Sequence, residues 1–358
     1  MNRNWLCSIF NQSSGKILVV LWLALAFPCS WAASTNDAST PIQLFTFGSC
    51  NKETLPQPLW PAIEALKPQF FMWVGDSVYG DTSNADILKK KYQKQLHQPE
   101  YSRLIGHIPI IGTWDDHDYG KNNAGRNWQY KDIAQIYFLD FIGEPLTSPR
   151  RQQSGLYTSY LYGPPHRQIK LILLDTRYHK STPADIPADI LGEEQWKWLE
   201  NELTNSPAQA HFLVSSFSIL SPSIGGGEQW IDYKESWERL NRLIVDKKPK
   251  GLIVLTGDRH FGGMLSKKLD DGQTYYELMS SGLTHVAKSM VRTVLRAIYG
   301  RKNSLFEKNF GSIQIHWDLL DQSLPLQMDF NLHTDESMIS PAWKKSFRLV
   351  QDHWQLEP

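Results

Sequence analysis

The chain has 358 residues, of which 41% are apolar and 21% charged, and its 37 lysines and arginines balance its 37 aspartates and glutamates. This is the composition of a globular protein with one large domain or two small ones. The zero formal net charge argues against a dedicated nucleic-acid-binding protein, because such proteins usually carry a strongly basic face.

The N-terminal segment has the pattern of a signal peptide. Arg3 and Lys16 precede the apolar run ILVVLWLALAF at 17–27, and small residues follow it. We therefore predict a signal peptide over residues 1–32, cleaved after Ala32, and an exported protein, periplasmic or secreted. The run is short for a membrane span, which needs about 20 apolar residues, so we expect no stable span after cleavage. An uncleaved anchor is the alternative.

The rest of the chain, 41–358, is predicted to be one α/β domain. Its continuous apolar runs suit strands that are buried on both faces, and amphipathic helices alternate with them. The predicted strands lie at 42–50, 69–75, 107–113, 167–177, 210–216 and 250–258, and the helices at 59–67, 84–97, 131–142, 193–204 and 232–247. The later segments TYYELMSS, GSIQIHWDLL and LPLQMDFNLHT alternate in polarity, which is typical of antiparallel edge strands. A basic cluster between Lys288 and Lys302 is expected to be a solvated helix face rather than a binding patch.

Side chains that can bind metals follow four of these predicted strands. They are Cys50 in GSC, Asp76 and Tyr79 in GDSVYG, Asp115, Asp116, His117 and Asp118 in TWDDHDYG, and Asp258 and His260 in GDRH. In open α/β sheets, sites form beyond the carboxyl ends of strands, so we expect these side chains to meet.

The four consecutive ionisable residues of TWDDHDYG need an explanation. Carboxylates this close raise one another's pKa and destabilise the fold unless something neutralises them. A metal cation would do so. The alternative for this stretch alone is a solvated acidic turn.

One predicted metal site contains Cys50, Tyr79 and His260, with Asp76 as a further ligand. A thiolate and a phenolate together favour a polarising transition metal, Fe³⁺ above all, with Zn²⁺ as an alternative. If residues 1–32 are removed, Cys50 is the only cysteine left, and metal binding would shield it from oxidation. The alternative is an inert buried thiol at a strand end.

The second predicted site contains Asp116, Asp258 and a bridging oxygen of Asp76. Oxygen ligands suit a hard cation such as Ca²⁺ or Mg²⁺. A bridging carboxylate holds two ions about 3.5–4 Å apart, the spacing used for in-line displacement at phosphorus.

The blocks FGSCN, GDSVY, WDDHD and GDRH, in this order, resemble the signature of the alkaline phosphatase D (PhoD-like) metallophosphatases. The resemblance extends over residues 44 to 290 and includes LLDTR and SSGLTH. It implies the metallophosphoesterase fold, a four-layer α/β/β/α sandwich in which two facing mixed β-sheets are flanked by helices, as in purple acid phosphatases. It also implies that the ligands are Cys50, Asp76, Tyr79, Asp116, Asp258 and His260, and that His117 lies beside the substrate phosphate. Unlike many relatives, the mature chain is expected to lack an N-terminal β-sandwich domain, which leaves the substrate range open.

His117 and Asp118 are the predicted catalytic residues. As an imidazolium, His117 could donate a proton to the leaving alkoxide, with Asp118 as its orienting partner. The alternative is that His117 only orients a carboxylate. Asp115 is expected to be structural.

Other residues of these blocks have two interpretations each. Arg259 either contacts phosphate or faces outwards. Asn123, with Asn122, either contributes an amide carbonyl to the oxygen-rich site or takes no part in it. Ser215 and Ser216 stand where related phosphoesterases often carry a metal-binding histidine, and an indirect role is open to them. His285 is expected to be structural.

These observations predict an exported, metal-dependent phosphoesterase with a binuclear centre, Fe³⁺ with Ca²⁺, or with Zn²⁺ or Mg²⁺ instead. The predicted substrate-binding residues are His117, Arg259 and Asn123. We expect a monomer acting on phosphate esters. The alternatives are a hydrolase of another ester on the same site, and a non-catalytic surface protein that keeps the fold.

Overall fold

The structure is a computed structural model that describes residues 40–204, 206–223, 227–269, 272–318, 325–335 and 340–358. The predicted signal peptide, 1–32, lies outside the described residues. No helix in the described ranges is both long enough and apolar enough to cross a membrane.

Two mixed β-sheets form the centre of the molecule. The strands of the described part are β1 (Leu44–Gly48), β2 (Phe71–Val74), β3 (Ile110–Thr113), β4 (Thr158–Tyr162), β5 (Ile169–Leu173), β6 (Ala210–Ser215), β7 (Leu252–Thr256), β8 (Gly262–Lys268), β9 (Thr274–Ser280), β10 (Ser304–Leu305), β11 (Phe310–His316), β12 (Gln327–His333), β13 (Trp343–Val350) and β14 (His353–Leu356). The first sheet has the order β14-β13-β12-β11-β1-β2-β3, and the second has the order β10-β8-β9-β7-β6-β5-β4.

Each sheet has a parallel part that carries the predicted site blocks. In the first sheet, β1, β2 and β3 are parallel, and β11 to β14 continue it in antiparallel fashion. In the second sheet, β5, β6, β7 and β9 are parallel, with β4, β8 and β10 antiparallel to their neighbours.

The apolar runs are buried on both faces because the two sheets face each other and helices cover their outer faces. Along β2, Met72 and Val74 belong to the core between the sheets, whereas Phe71 and Trp73 belong to the core under the helices. Successive side chains of a strand point to opposite faces, so a strand between two cores must be apolar throughout.

The helices form the two outer layers. They are α1 (Trp60–Ala65), α2 (Ala85–Leu96), α3 (Pro99–Ile105), α4 (Asp116–Tyr119), α5 (Lys131–Phe141), α6 (Glu193–Leu203), α7 (Lys234–Lys247) and α8 (Ser289–Tyr299). Residues of α1, α2, α3 and α5 pack on the first sheet, and residues of α6 and α7 pack on the second. The predicted α/β/β/α sandwich is confirmed.

The predicted edge strands are wrong in position. β9 lies between β8 and β7, β11 lies between β12 and β1, and β12 lies between β11 and β13. β9 is also parallel to β7. On β9 and β12, polar residues such as Glu277 and Asp329 are paired within the fold, whereas on β11 Gln314 and His316 are exposed to solvent although the strand is not at an edge.

Candidate metal centre

The predicted site blocks meet where the parallel strands of both sheets end. Cys50 follows β1, Asp76 follows β2, Asp116 follows β3 and His260 follows β7. Three of these strands belong to the first sheet and β7 belongs to the second. The candidate centre therefore lies between the ends of two facing sheets.

Two glycines allow the strand ends to approach this closely. A Cβ atom on Gly257 would lie 2.5 Å from both Val74 O and Ser49 Oγ. Gly75 has a φ of +92°, and its Cβ would lie 2.6 Å from the Cβ of Asp115. Real Cβ atoms do not occupy such positions, so the two GD dipeptides predicted from the sequence require glycine before their aspartates.

Four of the predicted ligands have left-handed backbone conformations. The φ angles are 59° at Cys50, 50° at Asp76, 70° at Asp258 and 57° at His260. This conformation costs L-residues roughly 1–2 kcal/mol each, and such residues concentrate at functional sites. The surrounding fold therefore holds these side chains in place against a local backbone preference.

The first group of possible ligands is Cys50, Asp76 and His260, whose donor atoms lie within 4.8 Å of one another. Cys50 Sγ is 3.5 Å from Asp76 Oδ2 and 3.1 Å from Ser281 Oγ. Ser281 also accepts a hydrogen bond from the backbone N–H of His260 at 2.8 Å. Burial, and then the charge of Asp76, raise the pKa of the Cys50 thiol well above its ordinary value. A cation would be needed to hold this sulfur as a thiolate.

Tyr79 lies next to this group, and its hydroxyl contacts the imidazole rings of two histidines. Its hydroxyl lies 3.1 Å from His260 Nε2 and 3.0 Å from His285 Nε2. Burial, and then the charges of Cys50 and Asp76, raise the pKa of Tyr79 well above its ordinary value. Burial and the neighbouring His285 lower the pKa of His260 to about 3, so this imidazole is neutral and has a lone pair for a metal.

The second group of possible ligands is Asp76, Asp116 and His117, again with donor atoms within 4.8 Å. The carboxylate of Asp116 is fixed by two hydrogen bonds that it accepts from backbone N–H groups, from His117 at 2.8 Å and from Asn123 at 2.7 Å. Asp76 belongs to both groups. Burial raises the pKa of Asp76 well above its ordinary value.

His117 is held between an aromatic ring and a carboxylate. Its ring stacks on Tyr79 with the centroids 4.0 Å apart, and its Nδ1 lies 2.6 Å from Asp81 Oδ1. Burial opposes protonation, but the charges of Asp76, Asp81 and Asp116 raise the pKa of His117 to about 10. His117 is therefore an imidazolium at neutral pH in the metal-free protein.

The expectation that Asp118 orients His117 is wrong. Asp118 Oδ1 accepts hydrogen bonds from the backbone N–H groups of Ser77 (2.9 Å) and Val78 (3.1 Å), and from the Ser77 hydroxyl. Its Oδ2 accepts from the backbone N–H of Asp115 at 3.0 Å. The short helix α4 turns Asp118 towards the loop after β2, and Asp81 contacts the imidazole instead.

Asp115 belongs to a buried ion-pair network behind the site, which agrees with its expected structural role. Its Oδ1 accepts hydrogen bonds from Arg177 Nε and Ser216 Oγ, both at 2.6 Å. Arg177 also pairs with Glu228, which in turn pairs with Lys180 at 2.7 Å. Ser216 therefore contacts Asp115 rather than a predicted ligand, and its indirect role stays a prediction.

The remaining predicted residues are placed as follows. Arg259 is buried, with 9% of its surface exposed, so it does not face outwards; its Nη1 donates to Gln229 Oε1 at 3.2 Å. Its Nε is buried and has no hydrogen-bond partner among the described residues. Asn123 contacts Asp116 through its backbone, and its side chain, like that of Asn122, is exposed. Asp258 lies outside both ligand groups found among the described residues, and its role as a ligand stays a prediction.

The sequence did not indicate the contact of Asp81 with His117 or that of His285 with Tyr79. Asp81 lies one residue beyond the GDSVYG block, and only the fold brings it to His117. His285 ends the SSGLTH block, so the signal was present, but its contact with Tyr79 depends on the pairing of β9 with β7.

The residues present fit metal cations. Burial and neighbouring carboxylates raise the pKa of Asp76 and Asp258. Several carboxylates and a thiol crowded into a buried space need a compensating positive charge. The donors are sulfur, nitrogen and oxygen on one side and mainly oxygen on the other, which suits two different ions.

Comparison with known proteins gives one family. A family model for PhoD-like phosphatases matches residues 45–318, more than half of the chain. Alkaline phosphatase D of Bacillus subtilis (strain 168) is 27% identical over 184 residues, which cover 43% of this chain and 31% of that protein. The chain thus spans less than a third of the length of this curated relative.

Two solved structures share the fold. The structure of PhoD has a TM-score of 0.72 at 16% identity and covers 90% of this chain and 73% of its own. Purple acid phosphatase PPD1 from yellow lupin (Lupinus luteus) seeds has a TM-score of 0.55 at 11% identity and covers 86% of this chain and 54% of its own. At these identities the likeness shows the metallophosphoesterase fold alone.

Proposed function

Because the chain belongs to the PhoD-like phosphatase family, a family of phosphoric ester hydrolases, we propose that it hydrolyses phosphate esters at a binuclear metal centre between the two sheets. The observation that carries the proposal is the pair of ligand groups that share Asp76. A carboxylate common to two adjoining groups can bridge two ions, and two neighbouring ions are a common arrangement in phosphoesterases.

The proposed ligands divide into two sets. Cys50, His260 and Tyr79, with Asp76, would hold an Fe³⁺ ion, for which a thiolate and a phenolate are suitable ligands, with Zn²⁺ as the alternative. Asp116, Asp258 and Asp76 would hold Ca²⁺, or Mg²⁺ in its place. When bound, the cations supply the positive charge that neutralises these ligands and polarises the phosphoryl group.

His117 is the proposed general acid. With Nδ1 engaged by Asp81, its Nε2 is the ring nitrogen left for a substrate. The Nε2–H proton would move to the leaving oxygen as the phosphorus–oxygen bond breaks, and Asp81 would stabilise the imidazolium before that transfer. Asp81 thus takes the positioning role that the sequence suggested for Asp118.

Arg259 and Asn123 are proposed to bind the substrate. Arg259 is buried, and its Nε has no hydrogen-bond partner among the described residues, so an anionic oxygen would satisfy it. Asn123 is fixed next to Asp116 by its backbone, and its exposed side chain can reach outwards to an ester group. We further propose that the protein is exported through the signal peptide at 1–32, that 41–358 is its single catalytic domain, and that it acts as a monomer.

The test uses the full chain purified without chelators. Elemental analysis should find two metal ions per chain, and p-nitrophenyl phosphate or bis-p-nitrophenyl phosphate should be turned over. Asp76→Asn should lose at least one ion and nearly all activity, because Asp76 belongs to both ligand groups. Glu144→Gln, a buried carboxylate paired with Arg150 away from the centre, is the matched control and should keep both ions.

The outcomes separate the alternatives. A folded Asp76→Asn variant that retains both ions and near-normal turnover would contradict the shared-ligand centre. A protein that binds two ions but cleaves neither substrate would support a hydrolase of another ester. Absence of bound metal would support a non-catalytic protein that keeps the fold.

A further inference from the structure

Helix α8 exposes apolar side chains that the fold does not cover. Met290 is 85% exposed, Val291 53% and Val294 46%, whereas Leu295 and Tyr299 are buried against Phe261 and its neighbours. With about 100° of rotation per residue, Met290, Val291 and Val294 fall within one sector of about 100°. The apolar side of α8 is thus wider than the surface that the protein core covers.

The same segment is strongly basic. Lys288, Arg292, Arg296, Arg301 and Lys302 lie in or directly beside α8, and no aspartate or glutamate occurs between residues 278 and 306. Arg292 and Arg296 lie over the ring of Phe306, with their guanidinium carbons 5.4 and 5.3 Å from its centroid. By the same rotation, Arg292 and Arg296 lie on the side of α8 away from Met290 and Val294, so their guanidinium groups face Phe306. Lys288 before α8, and Arg301 and Lys302 after it, are the exposed cations at the two ends of the helix.

The exposed sector lies close to the candidate metal centre along the chain. The backbone N–H of Ala287, just before α8, donates to the carbonyl of His260 at 2.7 Å. His285, two residues earlier, contacts Tyr79. A surface bound to the start of α8 would therefore lie only a few residues along the chain from side chains that contact the candidate centre.

We propose that α8 docks on a membrane surface rich in anionic phospholipid. An exposed apolar sector with exposed cations at both ends, on a helix too short to span, suits an interfacial helix. The cations would contact lipid phosphates, and Met290, Val291 and Val294 would enter the acyl boundary. A nucleic acid would use the cations but would leave the apolar side chains in water, so the two features together favour lipid. The proposal does not depend on catalysis.

The experiment measures cosedimentation of the full chain with vesicles of phosphatidylglycerol and phosphatidylcholine, and with phosphatidylcholine alone. We expect binding to the anionic vesicles that falls sharply at 0.5 M salt, because the attraction of the cations is screened. Lys288→Glu with Arg301→Glu, which reverses one exposed cation at each end of α8, should lower the partition coefficient at least about tenfold. Met290→Gln, Val291→Gln and Val294→Gln together should lower it by a similar factor.

The controls carry the same chemical changes elsewhere. Leu146 and Ile186 are 84% and 94% exposed, and Leu146→Gln with Ile186→Gln should bind as the wild type does. Lys234→Glu with Arg242→Glu on α7 should lower binding less than twofold. All variants are also made with Leu21→Asp and Leu25→Asp, which removes any contribution of the apolar run at 17–27, and circular dichroism checks that each is folded.

Two results would overturn the proposal. One is wild-type binding to anionic vesicles that is absent or equal to that of both α8 variants. The other is concentration-dependent self-association without vesicles that only the apolar α8 variant loses, which would identify the sector as a contact between two copies of the chain.

Discussion

His117 is fixed by two contacts that have different chemical consequences. The face of Tyr79 limits how its ring can turn, and the carboxylate of Asp81 stabilises the charged form. The first contact positions the imidazole, whereas the second determines how readily it gives up a proton.

The first prediction follows from this difference. Removal of a general acid typically costs about 10² to 10⁴ in rate. His117→Asn should therefore slow an alkyl phosphate by such a factor and p-nitrophenyl phosphate much less, because p-nitrophenolate leaves without a proton. Equal losses on both substrates, with both metal ions retained, would show that His117 stabilises phosphate instead.

The second prediction concerns Asp81. Asp81 raises the pKa of His117, so Asp81→Asn should lower that pKa. Activity on the alkyl phosphate, which requires the protonated imidazole, should then fall at a lower pH than in the wild type. Asp86→Asn, in the first turn of α2, is the matched control. If the activity of Asp81→Asn and that of the wild type fall at the same alkaline pH, Asp81 does not have this role.

The third prediction concerns the buried thiol. In the metal-loaded protein at a denaturant concentration below the unfolding transition, Cys50 should resist alkylation. Chelation should speed its alkylation, because Cys50 is buried in the folded protein and loss of the ions would make opening of the site more frequent. Peptide mapping separates Cys50 from Cys7 and Cys29. If the ion is Fe³⁺, a visible charge-transfer band should appear, vanish in Tyr79→Phe and persist in Tyr157→Phe. A colourless protein without iron, whose Cys50 reacts equally before and after chelation, would contradict the iron assignment.

At this scale, the sequence predicted which residues gather but not which atoms pair. Cys50, Asp76, Asp116 and His260 each follow a recognisable strand, and strand ends meet in a predictable place. Asp81 and Asp118 could not be assigned, because four residues of helix α4 decide whether a carboxylate points at an imidazole or at backbone N–H groups.

Among the elements, α4 is the one whose conformation the site depends on most. Four residues make a helix too short to be stable by itself, so its position relies on external hydrogen bonds. The carboxylate of Asp118 supplies them by joining α4 to the loop after β2.

The fourth prediction tests this link. Asp118→Ala would leave the buried N–H groups of Ser77, Val78 and Asp115 without an acceptor, at about 1–3 kcal/mol for each unsatisfied group. We expect a loss of at least about 3 kcal/mol in the free energy of unfolding, measured in urea. Asp246→Ala, on an exposed carboxylate of α7, should change it by less than about 0.5 kcal/mol. A neutral Asp118→Ala would mean that water replaces the carboxylate.

The positions of β9, β11 and β12 show what strand patterns leave undecided. Alternating polarity indicates two different faces, but it does not distinguish solvent from a polar interior. Glu277 on β9 is buried and accepts hydrogen bonds from Ser218 and Thr256, partners that lie 59 and 21 residues away in the chain. Such pairings depend on the sheet order, which no local pattern contains.

For the whole molecule, the candidate centre joins the two sheets. Its ligands come from the ends of β1, β2 and β3 in one sheet and of β7 in the other. Bound cations would therefore stabilise the packing of one sheet against the other as well as the loops.

The fifth prediction measures this stabilisation. A ligand present at 100 times its Kd adds about 2.7 kcal/mol to the stability of the folded state. Chelation should therefore lower the melting temperature, and the difference should be larger at pH 8 than at pH 5. The reason is that the proposed ligands Asp76 and Asp258 have raised pKa values, so at pH 5 a metal must displace protons from them. A difference that is absent, or larger at pH 5, would contradict a carboxylate-rich metal centre.

The distance along the chain between contacting residues also sets an order of events in time. Cys50 contacts Ser281, 231 residues later, and the carbonyl of Cys50 accepts a hydrogen bond from Thr284. A growing chain that has reached residue 200 already contains Cys50, Asp76 and Asp116 but has neither His260 nor the serine that shields the thiol. Non-local contacts of this kind form late in folding. Metal loading at the proposed centre would therefore follow synthesis of nearly the whole domain, and until then the thiol of Cys50 would depend on its surroundings for protection from oxidation.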